Sequence, residues 1–179
     1  MTAVPRGPSE IAGDVVTFSL AGEVLAVKAT RLREVLEPTA ITRVPGASDF
    51  AAGLLNVRGA VVPLADLRVP LRMPSHLIGP DSRILVLDLP INGQDCVVGI
   101  IADAVHAVTR IEDAALENIP SVGTRWPPRY VAAVGRWQGE FVTLPDLNAI
   151  LLDVMAGQPP RAAANTATPT HTHPHPETA

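Results

Sequence analysis

The apolar residues of this 179-residue chain fall in short runs, and most runs are joined in pairs by two residues that end in glycine. Paired apolar runs around such a dipeptide predict β-hairpins with tight turns. Four pairs meet in this way, at Ala21-Gly22, Arg58-Gly59, Asn92-Gly93 and Gln138-Gly139. Many short strands with glycine-marked turns indicate an all-β protein built as small barrels or a sandwich.

Three stretches are expected to depart from the hairpin pattern. Thr30 to Glu37 is predicted to form one or two helical turns that stop at Pro38. Pro63 lacks a backbone N–H, so its strand is expected to lie at a sheet edge or to end there, with Asp66 capping a short helix after it. Asp146 to Met155 is predicted to form a terminal helix. Asp146 caps its start, Gly157 follows its end, and one face of the helix is buried. That face carries Leu147, Ile150, Leu151 and Val154.

The two halves of the chain resemble each other. Five residues recur unchanged 80 positions later, namely Gly59, Leu64, Asp66, Leu67 and Leu71. The repeat predicts two related β modules that each finish in Leu-x-Asp-Leu.

Composition narrows the class of protein. Charged residues make up 18% of the chain, the net charge is -4 and only 3% of residues are aromatic, so a nucleic-acid-binding surface is not expected. Cys96 is the only cysteine, which excludes an internal disulfide and fits a reducing compartment. No apolar run reaches the length of a membrane span, and Met1 to Asp14 contains no apolar core of signal-peptide length. We therefore expect a cytoplasmic protein without membrane insertion.

The ends of the chain differ from its middle. Residues 1–13 are expected to be a flexible leader, residues 14–155 the folded part and residues 156–179 a disordered tail rich in Pro, Ala, Thr and His. His171, His173 and His175 in that tail could bind a transition metal, but closed metal sites need ligands from an ordered frame. We favour a solvated tail and predict neither a metal nor a cofactor.

No residue pattern typical of catalysis is present. The chain has no Gly-rich phosphate loop and no Gly-x-Ser-x-Gly turn. Cys96 and His106 lie within apolar runs, which favours a packed thiol and a strand histidine over reactive groups. Asp66, Asp103 and Asp146 stand at strand ends or helix starts, where capping explains them. We predict no catalytic residue, and a hydrolase that uses Asp66 or Asp146 is the weaker alternative.

Arg58 is the unusual residue of the most apolar stretch, which runs from Gly53 to Leu67. It is either a turn residue that points into water or an anchor for a protein partner, since arginine is enriched among the residues that carry interface energy. Composition and spacing leave both interpretations open.

The ordered set of motifs resembles the CheW family of chemotaxis coupling proteins over about residues 14–155. The segments that carry the resemblance are Phe18-Ser-Leu-Ala-Gly-Glu23, Leu32-Arg-Glu-Val35, Ile41-Thr-Arg-Val-Pro45, Gly53-Leu-Leu-Asn-Val-Arg-Gly59, Val62-Pro-Leu-Ala-Asp-Leu-Arg68, Gly99-Ile-Ile-Ala-Asp-Ala-Val105 and Leu144-Pro-Asp-Leu147. Pro145 stands where the family usually has an aliphatic residue, so the last strand is expected to be cut short.

The resemblance implies two small SH3-like five-stranded barrels around a shared core, with short helices that include a C-terminal one. It also implies a non-enzymatic adaptor that links the cytoplasmic tip of a methyl-accepting chemoreceptor to a CheA-type histidine kinase. In the family, a groove between the barrels binds the receptor tip. By the family's motifs, Leu32, Glu34 and Arg58 would lie on the receptor-facing surface, and Gly53 and Asn56 would shape it. Glu34 would pair with a cation of the partner.

Two alternatives remain beside the hydrolase. A CheW-like scaffold could serve a pathway other than flagellar chemotaxis, such as surface motility or gene regulation, and the sequence does not separate the two. A metal carrier that works through the histidine tail is the other alternative.

Overall fold

The computed structural model describes residues 13–38, 41–111 and 126–157. Within these ranges the chain forms ten β-strands and one α-helix, so the all-β class is confirmed. In chain order the elements are β1 (Gly13–Leu20), β2 (Glu23–Lys28), β3 (Leu32–Leu36), β4 (Ala51–Val57), β5 (Ala60–Ala65), β6 (Arg83–Ile91), β7 (Gln94–Ala102), β8 (Ala104–Ile111), β9 (Val131–Trp137), β10 (Glu140–Pro145) and α1 (Leu147–Met155). The expectations for the leader and for the histidine tail lie outside the described residues.

The strands form two five-stranded sheets. The first sheet has the order β8-β1-β2-β10-β9 and the second the order β3-β6-β7-β5-β4. Each sheet curls, so that side chains of its two edge strands meet: His106 of β8 stacks on Trp137 of β9, and Glu34 of β3 binds Arg58, which follows β4. We call the curled first and second sheets barrel 1 and barrel 2.

The two barrels do not correspond to the two halves of the sequence. Barrel 1 combines the hairpin β1–β2 from the first half with β8, β9 and β10 from the second, and barrel 2 combines β6–β7 with β3, β4 and β5. Each half therefore donates its first hairpin to the other half's barrel, through the parallel pairs β2–β10 and β5–β7. The repeat predicted from sequence is real as a pattern of strands, but each barrel draws on both copies.

A shared core fills the junction between the barrels. Along each strand of the donated hairpins, side chains point alternately to opposite faces of the sheet. One set points into the junction, for example Phe18 of β1 and Leu85 of β6. The other set points into a barrel interior, as Val15 does in barrel 1 and Val86 in barrel 2. Because both faces of these strands are buried, their sequences are almost continuously apolar.

All four predicted hairpin turns are confirmed. In each turn the first residue and the following glycine both have positive φ, with values of 50° to 51° for the first residue and 76° to 85° for the glycine. This is the two-residue turn whose twist matches that of the flanking strands. A non-glycine residue in this conformation is costly, so it persists where the surrounding ladder determines it.

Several local predictions are wrong. The segment Thr30 to Glu37 forms only a single 3₁₀ turn, Ala29–Arg31, and then the strand β3, because pairing with β6 outweighs local helix propensity. Pro63 neither ends its strand nor lies at an edge: β5 runs on between β4 and β7, and its pairing with β7 begins only at Leu64. A series of turns follows Asp66 in place of a helix. Pro145 does not shorten β10, which has six residues like β5.

The terminal helix α1 is confirmed and is held at both ends. Asp146 caps its start, where Oδ1 accepts a hydrogen bond from the Ala149 N–H at 3.0 Å. Near its other end Asp153 accepts hydrogen bonds from the Arg129 guanidinium at 2.6 Å and from the Tyr130 hydroxyl at 2.9 Å. Tyr130 is fully buried in the shared core, so this contact fastens α1 to the junction.

The buried Tyr130 gives a direct probe of this contact. Its pKa is raised above the ordinary value of about 10, first because burial disfavours the phenolate and then because the hydroxyl donates to the Asp153 carboxylate. The stability that neutral Tyr130 provides is complete below about pH 10 and is lost as the pH rises through the folded-state pKa. We expect Asp153→Asn to lower the pKa of Tyr130 while leaving it above the ordinary value.

Tyr130 is the only tyrosine in the chain, so the ultraviolet absorbance of tyrosinate measures its pKa alone. Asp88→Asn is the control, since Asp88 pairs with Arg33 on the surface of barrel 2. An unchanged pKa in Asp153→Asn would contradict the contact.

Candidate functional site

The five residues assigned by family resemblance lie on strands at opposite edges of the second sheet. Leu32 and Glu34 belong to β3, Gly53 and Asn56 to β4, and Arg58 to the turn after β4. In the sheet order three strands, β6, β7 and β5, lie between β3 and β4, but the curled sheet brings its two edges together. The fold thus brings Glu34 and Arg58 together across 24 residues of sequence.

Arg58 and Glu34 form an ion pair across this closure. The Arg58 Nη2 donates to Glu34 Oε2 at 3.1 Å, and its Nε lies 3.2 Å from Oε1 and 3.3 Å from Oε2. The hydrogen bonds and the negative charge of Glu34 raise the pKa of the Arg58 guanidinium above its ordinary value. The Arg58 side chain is still 83% exposed, whereas that of Glu34 is 16% exposed.

The expected contact of Glu34 with a partner's cation stays a prediction. In the protein on its own, the cation that binds Glu34 is Arg58 of the same chain rather than a partner's residue. Glu34 is also largely covered, so its main effect is to hold the guanidinium in one position. Arg58 is both a turn residue, with φ of 51°, and a mostly exposed cation.

Asn56 shapes the turn that presents Arg58. Its Oδ1 accepts a hydrogen bond from the Gly59 N–H at 2.8 Å, which closes the turn from Asn56 to Gly59. Asparagine side chains commonly mimic a backbone turn in this way. Asn56 therefore orients the turn through a side-chain contact with the backbone of Gly59.

Gly53 lies where the chain packs too closely for a side chain. A Cβ at this position would be 2.6 Å from Ile41 Cγ2 and 2.7 Å from the Thr42 carbonyl oxygen. The close approach comes from a short antiparallel contact in which Thr42 and Leu54 exchange N–H···O bonds of 3.0 and 2.8 Å. Gly53 thus allows the segment around Thr42 to lie along β4.

Leu32 has a packing role. It starts β3, pairs with Leu87 of β6 and is half-buried against the shared core. Its position fixes where β3 begins relative to the junction between the barrels.

An apolar strip that sequence reasoning missed lies next to the Arg58 turn. Val61 is 70% exposed and stands opposite Asn56, while the exposed Pro63 stands opposite Leu54. The signal was available in the alternation of β5, because the inward positions Val62 and Leu64 place Val61 and Pro63 outside. Arg58 therefore lies beside exposed aliphatic side chains.

The carboxylates considered for catalysis are engaged within the chain. Asp66 binds the Arg68 side chain, Asp103 binds Arg68 and the Ala21 N–H, and Asp146 caps α1. His106 stacks on Trp137. Among the residues described, no group of three His, Cys, Asp or Glu side chains is placed to hold a metal ion.

The fold and this surface define a class of protein: a double five-stranded β-barrel with one shared core and an exposed, ion-paired arginine beside an apolar strip. The family model of the CheW-like domain matches residues 14–155. The chain belongs to the CheW-like domain family.

Individual relatives agree with this assignment. The chain is 26% identical over 137 residues to "Chemotaxis protein CheW" of Bacillus subtilis strain 168, which covers 76% of this chain and 85% of that protein. It is 26% identical over 148 residues to "Chemotaxis protein CheW" of Klebsiella aerogenes, with coverages of 80% and 87%. The crystal structure of the scaffolding protein TtCheW from Thermoanaerobacter tengcongensis superposes with a TM-score of 0.68 and 29% identity over 78% of this chain and 92% of that one. This likeness confirms the expected pair of SH3-like barrels.

In residues 13–38, 41–111 and 126–157, the structure contains no helix with the length and apolar character needed to cross a bilayer.

Replacing Gly53 tests the close packing along β4. We expect Gly53→Ala to lower the free energy of unfolding by about 2 kcal/mol, because the added methyl overlaps Ile41 and the Thr42 carbonyl. Urea unfolding followed by circular dichroism measures the change. Gly79→Ala is the matched control, since a Cβ at Gly79 meets nothing within 4 Å. Equal losses in the two variants would contradict the packing role of Gly53.

Proposed function

We propose that this protein is a non-enzymatic cytoplasmic adaptor that couples the tips of chemoreceptors to a CheA-type histidine kinase. The proposal is supported by membership of the CheW-like domain family and by relatives that carry the name Chemotaxis protein CheW. It is supported further by the structural similarity to a protein described as a scaffold. The carboxylates that a hydrolase would need are occupied by Arg68, by backbone N–H groups or by a helix cap.

The observation that carries the proposal is the state of Arg58. Its guanidinium is held by Glu34 yet remains mostly exposed, beside the exposed Val61 and Pro63. A helical partner presents apolar ridges with few charges, and such ridges dock against apolar surfaces. Arginine is weakly hydrated and offers several donors in a rigid fork, so it can serve as the polar anchor of such a contact.

The supporting residues make this anchor rigid before a partner arrives. Asn56 closes the turn, Gly53 admits the Thr42 segment beside β4, and Glu34 holds the guanidinium. Ordering a long side chain on binding costs free energy, and a side chain that is already ordered avoids part of this cost. We assign Arg58 to direct contact with the receptor tip and Leu32, Glu34, Gly53 and Asn56 to shaping that surface.

Removing the guanidinium tests the contact. We expect Arg58→Ala to weaken binding to a receptor cytoplasmic fragment by about tenfold or more, the scale of an interface hot spot. Because the side chain is exposed, the fold should stay intact. Isothermal titration calorimetry measures the affinity, and circular dichroism measures the fold.

Arg110→Ala is the matched control for Arg58→Ala. Arg110 is an exposed arginine on barrel 1, paired with Asp14 at 3.8 Å, so its removal makes the same change in net charge. If both variants lose the same affinity, general charge attraction explains the effect. Unchanged binding in a folded Arg58→Ala protein would overturn the role of Arg58.

A double-mutant cycle tests whether Glu34 acts through Arg58. We expect Glu34→Gln to weaken receptor binding less than Arg58→Ala, and the double variant to bind no more weakly than Arg58→Ala alone. The reason is that a residue that only positions Arg58 has no effect once Arg58 is gone. Independent, additive losses in the same calorimetric assay would instead show that Glu34 contacts the receptor itself.

A further inference from the structure

A buried arginine lies at the junction between the barrels and takes no part in the surface described above. Among the residues that the structure describes, Arg68 is the only charged one that is buried, at 3% exposure. Its Nη1 donates to both oxygens of Asp66, at 3.1 and 3.2 Å, and its Nη2 donates to Asp103 Oδ1. The second oxygen of Asp103 accepts a hydrogen bond from the Ala21 N–H at 2.6 Å.

This chain of contacts crosses from one barrel to the other. Asp66 and Arg68 follow directly after β5 of barrel 2. Asp103 is the single residue between β7 of barrel 2 and β8 of barrel 1, and its N–H donates to the Ser19 carbonyl of β1 at 2.9 Å. Ala21 lies in the β1–β2 turn of barrel 1. The hydrogen bonds therefore connect the second barrel, the crossover and the first barrel in series.

A contribution to the free energy of folding does not by itself explain why charged residues are buried in this network. A buried ion pair costs desolvation, and apolar residues of the same volume often stabilise as well or better. Arg68 Nε adds to this cost, because it has no hydrogen-bond partner among the described residues. Hydrogen bonds depend on the relative orientation of donor and acceptor, whereas the hydrophobic effect is non-directional. The network can therefore fix an orientation that aliphatic packing alone does not.

The sequence repeat shows that only one of the two equivalent positions carries this network. Asp66 has its counterpart in Asp146, but the counterpart of Arg68, 80 residues later, is Asn148. There the chain forms α1, and Asp146 caps it through the Ala149 N–H. The network of Arg68, Asp66 and Asp103 is thus found only at the crossover between β7 and β8.

We propose that Arg68 and Asp103 form an orientation latch that fixes the angle between barrel 1 and barrel 2. The shared core holds the barrels together, and the latch selects one arrangement of that core. The purpose of the latch rests on the proposed adaptor function, because an adaptor must hold two partner surfaces in a fixed relation. The latch itself is a property of the protein alone.

The test measures the distance between the barrels. Spin labels are placed at Val108 of barrel 1 and Val61 of barrel 2, both exposed strand positions, after Cys96→Ser removes the only native thiol. Electron–electron double resonance then gives the distribution of distances. We expect a narrow distribution in the parent and a clearly wider or shifted one in Asp103→Asn. Asp88→Asn is the matched control, because it makes the same change in a surface ion pair that joins two strands of barrel 2 and does not cross to barrel 1.

Hydrogen exchange separates the latch from a purely local effect. The Ala21 N–H should exchange about tenfold faster or more in Asp103→Asn, while amides of the shared core stay protected. Faster exchange at Ala21 with an unchanged distance distribution would overturn the proposal, since the network would then only order one turn. Loss of protection throughout both barrels would overturn it as well, because the network would then be needed for folding itself.

Arg68→Lys keeps the charge but removes the planar fork, and it is the milder variant. We expect it to widen the distance distribution less than Asp103→Asn does, and a narrow distribution in folded Arg68→Lys would count against the latch.

Binding of the kinase and receptor fragments is measured on the same proteins. If the parent binds neither fragment, the adaptor function fails while the distance result stands. If the parent binds both and the distances do not change, only the latch fails.

Discussion

The structure depends on the burial of both faces of four strands. In β1, β2, β6 and β7, one set of alternate residues fills a barrel and the other fills the junction between the barrels. Neither barrel can separate without exposing the strands that it borrowed from the other half of the chain. At about 25 cal/mol for each Å² of apolar surface, that exposure is what makes the two barrels a single folding unit.

Because the donated hairpins are largely buried on both faces, the edge strands and the exposed face of β5 supply much of the surface that meets solvent. The two barrels close their edges with different chemistry: barrel 1 stacks His106 on Trp137, and barrel 2 pairs Glu34 with Arg58. An exposed ion pair contributes little to stability. The ion pair that closes barrel 2 is therefore better explained by its effect on the surface than by a gain in stability. It holds the exposed guanidinium of Arg58 in place in the hairpin that also exposes Val61.

The features that could be predicted from sequence are those decided by neighbouring residues. Arg58-Gly59 and Asn92-Gly93 specify their turns locally, and Asp146 specifies the start of α1 through its own side chain. The strand β3 could not be predicted, because its pairing with β6, a strand far away in sequence, overrides local propensity. For the same reason, the family motifs pointed to Glu34 and Arg58 separately, while their contact arises only when the sheet curls and its opposite edges meet.

The repeat also shows how a nearly symmetric fold acquires two different sides. Both copies end in Leu-x-Asp-Leu, yet one continues with Arg68 and the other with Asn148. The arginine is drawn into the junction by two carboxylates, whereas the asparagine lies in the first turn of α1, which covers the junction with apolar residues and is fastened by Asp153. The difference between Arg68 and Asn148 is thus one of those that give the two copies different surroundings, a buried arginine between two carboxylates in one and a capped helix in the other. The proposed adaptor, which would join two unlike partners, needs such a difference, because two identical faces would bind the same partner twice.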